Sequence, residues 1–304
     1  MDINKMFGIE FPIFQGGMAN IATGEFAAAV SNAGAMGIIG VGGMDSADLR
    51  ENIRRCKDRT ARPFGVNIML MNPCADEMAE IVCREGVSLV TTGAGNPGKY
   101  VERWKKAGIR VFPVVSSVAL ARRLAASGVD GLIAEGCESG GHIGELTTMT
   151  LVPQVADAVD LPVIAAGGIA GGRQMAAAEI LGASGVQIGT ILLASEECPI
   201  HQNYKDALIR AKDNDTVVTG RTVGAPVRIL KNPMAREYLR KERAGAEKME
   251  LEAFTLGSLR KAVMEGDVRN GSLMAGQVAS QIKEIRPVRE ILEQLEKEYE
   301  EIAG

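Results

Sequence analysis

The sequence has 304 residues and a net charge of −4, with acidic and basic residues interleaved, so it offers no basic face for a nucleic-acid backbone. Hydrophobic residues make up 46% of the chain and glycine occupies 36 positions, a balance typical of parallel α/β proteins with many tight loops. The five cysteines include no CxxC pair, and no apolar run is long enough to cross a membrane. We therefore expect a cytoplasmic protein without a disulfide framework, a thiolate zinc site, or a nucleic-acid or membrane partner.

Short apolar runs rich in β-forming residues recur at intervals of roughly 20 to 30 residues, the spacing of βα units. We predict eight strands, at residues 12–18, 36–41, 64–70, 88–92, 110–115, 131–134, 162–166 and 185–191. Helical patterns follow several of them, for example at residues 24–33, 119–127 and 173–181. Eight units in series favour a closed (β/α)8 TIM barrel over the alternative, a doubly wound open sheet.

The strand pattern stops beyond residue 195. Residues 196–280 are richer in charge and mostly helical in pattern, and Gly245 is expected to interrupt a helix there. Apolar residues at helical spacing over 288–302 predict the helix that completes the barrel. We therefore predict a TIM barrel formed by residues 1–195 and 281–304. A smaller, mainly helical cap domain, residues 196–280, is expected to be inserted after the eighth strand and to cover the barrel mouth.

One of only two histidines lies in the most informative segment, ESGGHIGE, residues 138–145. His142 follows Gly140 and Gly141, just past a predicted strand that ends near Glu135. TIM barrels place their chemistry on loops at the strand carboxyl ends, and histidine titrates near neutral pH. We predict a functional His142, the alternative being a loop histidine bonded to the backbone. His201 is expected at the surface.

Glycine pairs end the predicted seventh strand, in AAGGIAGG, and a glycine ends the eighth, in VQIGT. In TIM barrels the loops after strands seven and eight bind phosphate with backbone N–H groups. A glycine pair alone also fits a simple tight turn. The two occurrences together predict a phosphate-bearing cofactor in contact with Gly167, Gly168, Gly189 and Thr190.

Three other strand ends carry candidate binding residues: QGGM at 15–18, VNIML at 66–70 and TTGAGNP at 91–97. The glycine pair of QGGM could admit a flat ring or form a turn. Asn67 lies in an apolar strand, where a buried amide needs hydrogen-bond partners. Either its neighbours or the polar edge of a bound ring could supply them.

These segments resemble the FMN-dependent enoyl-acyl-carrier-protein reductases of bacterial fatty acid synthesis, the FabK type, within the nitronate monooxygenase superfamily. The resemblance covers nearly the whole chain, and its more specific parts are GGHIGE, GRTVGAPVR and MAGQ. It implies a barrel that holds FMN through residues Gly17, Met18, Asn67, Thr92, Glu135, Gly140, Gly141, Gly167, Gly168, Gly189 and Thr190.

The resemblance also implies the reaction: reduction of a trans-2-enoyl thioester on acyl carrier protein by NADH or NADPH, with hydride passing by way of the flavin in a ping-pong sequence. His142 would protonate the α-carbon or stabilise the enolate. Arg221, Arg228 and Lys231 would contact nucleotide or pantetheine phosphates or the carrier protein, unless they simply lie in a solvated loop. A homodimer is implied too, as is a monovalent cation in some members, with ligands that the sequence does not identify.

Two alternatives remain open. A nitronate monooxygenase would use the same barrel, with His142 as the base beside a nitro group. Such enzymes tend to carry glutamine where this chain has Glu135, which favours the reductase. A flavin- or phosphate-binding barrel without turnover is the second alternative, and the placement of His142 and Glu135 argues against it.

Overall fold

The structure, a computed structural model, describes residues 1–303. Its strands are β1 Ile13–Gln15, β2 Gly37–Gly40, β3 Phe64–Met69, β4 Leu89–Gly93, β5 Arg110–Val115, β6 Leu132–Glu135, β7 Gly141–His142, β8 Val163–Ala166, β9 Gly185–Ile188, β10 Thr216–Thr219 and β11 Val227–Leu230. Its α-helices are α1 Ile3–Phe7, α2 Gly24–Asn32, α3 Ser46–Lys57, α4 Ala75–Glu85, α5 Gly98–Lys106, α6 Val118–Ala125, α7 Thr148–Ala156, α8 Gly172–Ile180, α9 Gln202–Ile209, α10 Pro233–Arg243, α11 Lys248–Thr255, α12 Ser258–Arg260 and α13 Val288–Ala303.

Eight strands pair in parallel in the order β1-β9-β8-β6-β5-β4-β3-β2. A parallel bridge between Phe14 and Met36 joins the two ends of this order and closes the ring. The Gln15 side chain extends the junction, since its Oε1 accepts a hydrogen bond from the Ile38 N–H at 3.1 Å. The structure thereby confirms the predicted (β/α)8 barrel.

Aromatic and aliphatic side chains fill the barrel interior toward the amino ends of the strands. Successive residues of a strand point alternately into the barrel and toward the helices. Phe7, Phe14 and Phe112 meet edge to face, with ring centroids 5.4 to 5.9 Å apart. Helix α1 closes this end of the barrel, because its residues Ile3 and Phe7 pack into the same interior cluster.

Helix α13 occupies the place of the helix after the last barrel strand, as predicted. It packs against α8 and α2. The Glu298 carboxylate accepts a hydrogen bond from the Gly172 N–H at 2.9 Å and so caps the start of α8. Within residues 1–303, no helix combines the length and the apolar character that crossing a membrane would need.

Residues 196–280, called the cap segment below, contain α9 to α12 and also the strands β10 and β11. The sequence of this segment shows no strand alternation, because each of these strands has only four residues, too few for a clear pattern. Gly245, with a φ of +84°, separates α10 from α11 as predicted. Strands β10 and β11 form an antiparallel sheet with β7 of the barrel loop, in the order β10-β11-β7. We retain the division into a barrel and a cap domain as a proposal.

The tight interior leads to a stability prediction at Gly131. A Cβ added there would lie 2.1 Å from the Phe112 ring. We expect Gly131→Ala to lower the free energy of unfolding by about 1–3 kcal/mol through overpacking. The double variant with Phe112→Leu should lose less free energy of unfolding than the sum of the two single variants, because leucine leaves room for the added Cβ. Urea unfolding of the four proteins measures this, and strict additivity would contradict the predicted contact.

Candidate active site

The carboxyl ends of the barrel strands carry small and polar residues on their inner face. Leu89 on β4 and Ile133 on β6 point into the barrel. Because side chains alternate along a strand, Thr91 and Glu135, two residues further on, point to the same inner face. Asn67 stands beside Thr91 in the register of β3 and β4, and its Nδ2 donates to Thr91 Oγ1 at 2.8 Å. A neighbouring hydroxyl therefore satisfies one side of the Asn67 amide.

Thr92, the threonine predicted to contact the cofactor, has its side chain on the other side of β4. Its register partner is Ile68, a residue of the outer core between strands and helices. The Thr92 hydroxyl is buried and has no hydrogen-bond partner among the described residues. Thr91 is the inward-facing member of the pair, and the alternation from Leu89 was the signal that could have identified it.

The loop after β1 lies against Asn67 and reaches across to the loop after β9. A Cβ on Gly17 would lie 2.3 Å from Asn67 Cβ, so only glycine allows this approach. Met18 Sδ lies 3.5 Å from the position of a Cβ on Gly189. The structure thus brings the predicted residues Gly17, Met18, Asn67 and Gly189 together at the barrel mouth.

The loops after β8 and β9 present backbone donors. Gly167 and Gly168 have φ angles of +88° and +76°, and a Cβ on Gly167 would lie 2.7 Å from the Gly136 carbonyl oxygen. Within residues 1–303, the N–H groups of Gly167, Gly168, Gly189 and Thr190 reach no backbone or side-chain acceptor. Free N–H groups at glycine turns are suited to an anion. These residues therefore fit the phosphate of FMN.

Two polar groups beside these loops, the Gly172 N–H and the Thr190 hydroxyl, already form hydrogen bonds within the protein. Glu298 accepts the hydrogen bond of the Gly172 N–H, so this donor at the start of α8 is not free for a ligand. Thr190 Oγ1 accepts a hydrogen bond from the Gly276 N–H at 2.9 Å. The side chain of Thr190 therefore holds the segment that returns from the cap, while its backbone N–H remains available.

Glu135 ends β6 at the mouth without a charged partner. Burial raises the pKa of its carboxyl group to about 7, and the nearby Ser139 hydroxyl acts in the opposite direction. That hydroxyl is itself buried and forms no hydrogen bond of good geometry with a described residue. Sequence reasoning missed Ser139. Near neutral pH, Glu135 is therefore present in both protonated and charged forms, and both groups are open to a ligand.

His142 forms β7 with Gly141 and lies at the wall of the mouth. The residue is exposed to solvent, yet enough protein surrounds its ring for desolvation to lower the pKa below the ordinary value. The ring is consequently neutral near pH 7 and can either donate one hydrogen bond or accept a proton. His201, the other histidine, is exposed, and its Nδ1 accepts a hydrogen bond from the Asn203 N–H at the start of α9.

Three cationic residues predicted near the mouth have different settings. Arg221 Nη1 pairs with the exposed Glu145 carboxylate at 2.7 Å. Arg228 is only 6% exposed, and it donates hydrogen bonds to the Cys137 carbonyl oxygen and to Thr216. Lys231 is exposed. The solvated-loop interpretation therefore does not apply to Arg228, whose side chain is buried and bonded to protein.

Glu138, a residue that sequence reasoning left without a role, organises the loop after β6. Its carboxylate accepts hydrogen bonds from the Thr148 N–H at 2.9 Å and the Thr148 hydroxyl at 3.1 Å. The same hydroxyl lies 2.8 Å from the Gly167 carbonyl oxygen. This chain of contacts ties the His142 loop to the glycine turn after β8.

The raised pKa of Glu135 has a measurable consequence for stability. A carboxyl group whose pKa rises from 4.5 to about 7 on folding binds its proton more tightly in the folded state, so stability falls as the pH rises through that window. We expect Glu135→Gln to remove this loss in the ligand-free protein. Its stability advantage over the wild type should grow between about pH 5 and pH 8 by up to about 3 kcal/mol.

Urea unfolding of both proteins at several pH values measures the effect. A pH-independent difference between Glu135→Gln and the wild type would contradict the prediction.

Residues 2–298 match the family described as nitronate monooxygenase. The structure of FabK from Thermotoga maritima is similar over 99% of this chain and 96% of that chain, with a TM-score of 0.96 and 49% identity. The nitroalkane oxidase from Streptomyces ansochromogenes is similar over 98% of both chains, with a TM-score of 0.87 and 28% identity.

A curated relative from Mycobacterium tuberculosis is described as (3aS,4S,5R,7aS)-5-hydroxy-7a-methyl-1-oxo-octahydro-1H-indene-4-carboxyl-CoA dehydrogenase. It is 37% identical over 238 residues, which cover 77% of this chain and 67% of that protein. The chain thus spans about two thirds of this relative's length. The predicted family resemblance is confirmed: the chain belongs to the nitronate monooxygenase family of FMN-dependent oxidoreductases.

Proposed function

We propose that this protein is an FMN-dependent enoyl-acyl-carrier-protein reductase that saturates trans-2-enoyl thioesters with NADH or NADPH. The observation that carries the proposal is the whole-chain similarity to FabK. The similarity to a carboxyl-CoA dehydrogenase supports a thioester as the substrate class. An acyl-carrier-protein substrate and a homodimer are parts of the same proposal.

FMN, when bound, supplies reversible two-electron chemistry, and the protein supplies position and proton handling. The free N–H groups of Gly167, Gly168, Gly189 and Thr190 would hold its phosphate. Gly17 lies against Asn67 without a side chain of its own, and its backbone and the Asn67 amide would contact the ring system.

His142 handles the proton in this proposal. Saturation of an enoyl thioester adds a hydride at the β-carbon and a proton at the α-carbon, and negative charge develops on the thioester oxygen between the two events. A neutral imidazole N–H can stabilise that oxygen as a hydrogen-bond donor. Because the site around this exposed ring is open to water, solvent can supply the proton that is added at the α-carbon. The lowered pKa therefore favours the enolate-stabilising role over that of a standing imidazolium acid.

Arg221 and Lys231 are candidates for contact with nucleotide phosphates or with the acidic carrier protein. Both are exposed, and Arg221 is engaged only in a surface ion pair. Such pairs contribute about 0–1 kcal/mol and are easily exchanged for another anion.

The decisive experiment follows the flavin spectrum of the purified protein. FMN absorbance should bleach on addition of NADH or NADPH under anaerobic conditions and recover when crotonyl thioester is added. Bleaching without recovery by the enoyl thioester would reject the reductase.

A nitronate monooxygenase is the second candidate, favoured by the family match and by the similarity to a nitroalkane oxidase. A neutral His142 would also suit the base that such a reaction needs. This alternative predicts oxygen consumption with an alkyl nitronate and no requirement for nicotinamide.

His142→Ala should retain FMN and lower the rate of enoyl reduction by about 10² to 10⁴, the range of a general acid–base or donor group. The FMN spectrum and steady-state turnover check both parts. His201→Ala, at an exposed position in the cap segment, is the control and should keep normal turnover. Near-normal turnover of His142→Ala with FMN bound would reject the proposed role.

Gly167→Ala should weaken FMN binding about tenfold or more, since its Cβ would strike the Gly136 carbonyl and force an unfavourable φ beside the free N–H groups. Quenching of flavin fluorescence during titration measures the dissociation constant. Gly128→Ala carries a similar backbone penalty at φ +79° in open space, and it should bind FMN like the wild type. An equal loss of FMN affinity in both variants would show that general backbone strain, and not the glycine turn after β8, is responsible.

A further inference from the structure

The strand that carries His142 belongs to the cap sheet and not to the barrel. His142 pairs with Val227 and Gly141 pairs with Arg228 in the antiparallel register of β7 and β11. One residue further on, the Ile143 N–H donates to the Pro226 carbonyl oxygen at 3.1 Å. The backbone around His142 is therefore fixed by residues far along the chain.

Arg228 fastens the His142 loop at two points. Its backbone pairs with Gly141 at the far end of the loop. Its side chain returns to the near end, where Nη2 and Nε donate to the Cys137 carbonyl oxygen at 2.8 and 3.0 Å. Nη1 donates to Thr216 Oγ1 on β10 at 3.2 Å, which fixes the guanidinium plane.

The setting of Arg228 is costly for a cation. The residue is 6% exposed, and desolvation lowers the pKa of its guanidinium group. Its hydrogen-bond acceptors are a carbonyl oxygen and a hydroxyl, with no carboxylate among the contacts described. The cost of burying such a charge is offset only by its hydrogen bonds, and these hydrogen bonds fix a specific geometry. Here that geometry is the path of residues 137–142.

The opposite side of the same loop is also fixed. The Gln277 N–H donates to the Glu138 carbonyl oxygen at 2.9 Å, and a Cβ on Gly140 would lie 2.7 Å from the Ala275 carbonyl carbon. The His142 side chain is exposed, and its place at the mouth depends on the backbone that carries it.

We propose that Arg228 is a positioning residue, which holds His142 at the barrel mouth through the Cys137 carbonyl and the pairing of β7 with β11. The relevance of this placement to catalysis rests on the proposed function, but the placement itself can be tested without any substrate. Direct contact of Arg228 with nucleotide phosphate is the competing idea, and the experiment separates the two.

The test uses the presence of only two histidines. Imidazole NMR signals of the FMN-loaded protein are titrated in the wild type, Arg228→Met and Arg228→Lys. The charged and titratable groups on the segments surrounding His142 are Cys137, Glu138, Glu145, Arg221 and Arg228. Desolvation is the cause of the lowered His142 pKa. Release of the loop should therefore move the pKa of His142 upward, toward about 6.5. His201, which lies at the start of α9, should not change and serves as an internal reference.

Arg221→Met is the matched control, because it removes the same charge from the turn between β10 and β11 without touching the Cys137 carbonyl. It should leave the pKa of His142 close to the wild-type value. Thr216→Val removes only the third contact of Arg228 and should give a smaller upward shift, which keeps the proposal testable if Arg228→Met does not fold. An unchanged His142 pKa in folded Arg228→Met would overturn the proposal.

The kinetic arm measures turnover and Michaelis constants separately. Arg228→Met should lower kcat at least tenfold while FMN affinity and the KM for NADH or NADPH stay within twofold, and added guanidinium should restore part of kcat. A raised nucleotide KM with unchanged kcat would place Arg228 in nucleotide binding and overturn the positioning role. If the wild type fails to reduce any enoyl thioester, the proposed function fails, and the NMR result still decides the positioning role.

Discussion

The barrel closes through a narrow junction between β1 and β2, where backbone pairing reduces to one bridge and the Gln15 side chain provides a further acceptor. A closed ring of eight parallel strands leaves an interior just wide enough for side chains, so the choice of interior residues decides where space remains. Here phenylalanines fill the amino-terminal end and glycines with small polar residues line the other. This distribution leaves an open mouth that holds the free N–H groups of the glycine turns and the Glu135 carboxyl group, which has no charged partner.

Desolvation favours the uncharged forms of Glu135 and His142 at the barrel mouth. It raises the pKa of Glu135 and lowers the pKa of His142. Near neutral pH His142 is therefore neutral and Glu135 is only partly charged, while the glycine turns offer donors to an anion at one side. This combination suits a ligand with an uncharged ring system and a phosphate tail better than a wholly ionic one.

Sequence periodicity predicted the eight strands and the closing helix, because each of these follows from a local hydrophobic pattern. The glycine turns were predicted from glycine residues at the strand ends. The family resemblance implied Thr92, whereas alternation along β4 turns the side chain of Thr91 into the barrel. Sequence periodicity missed β10 and β11 because four-residue strands carry almost no periodic signal. The buried setting of Arg228 was not predictable either, since it depends on a carbonyl oxygen 91 positions away along the chain.

The sheet shared by β7, β10 and β11 also constrains how such proteins can be recombined. A chimera that exchanged only residues 196–280 for those of a relative would divide this sheet between two parents. The donor's β11 would have to match the recipient's residues 137–142 in backbone path as well as in register. The natural unit of exchange is therefore discontinuous in sequence: it includes the short loop inside the barrel together with the cap segment, and the two parts are expected to diversify together.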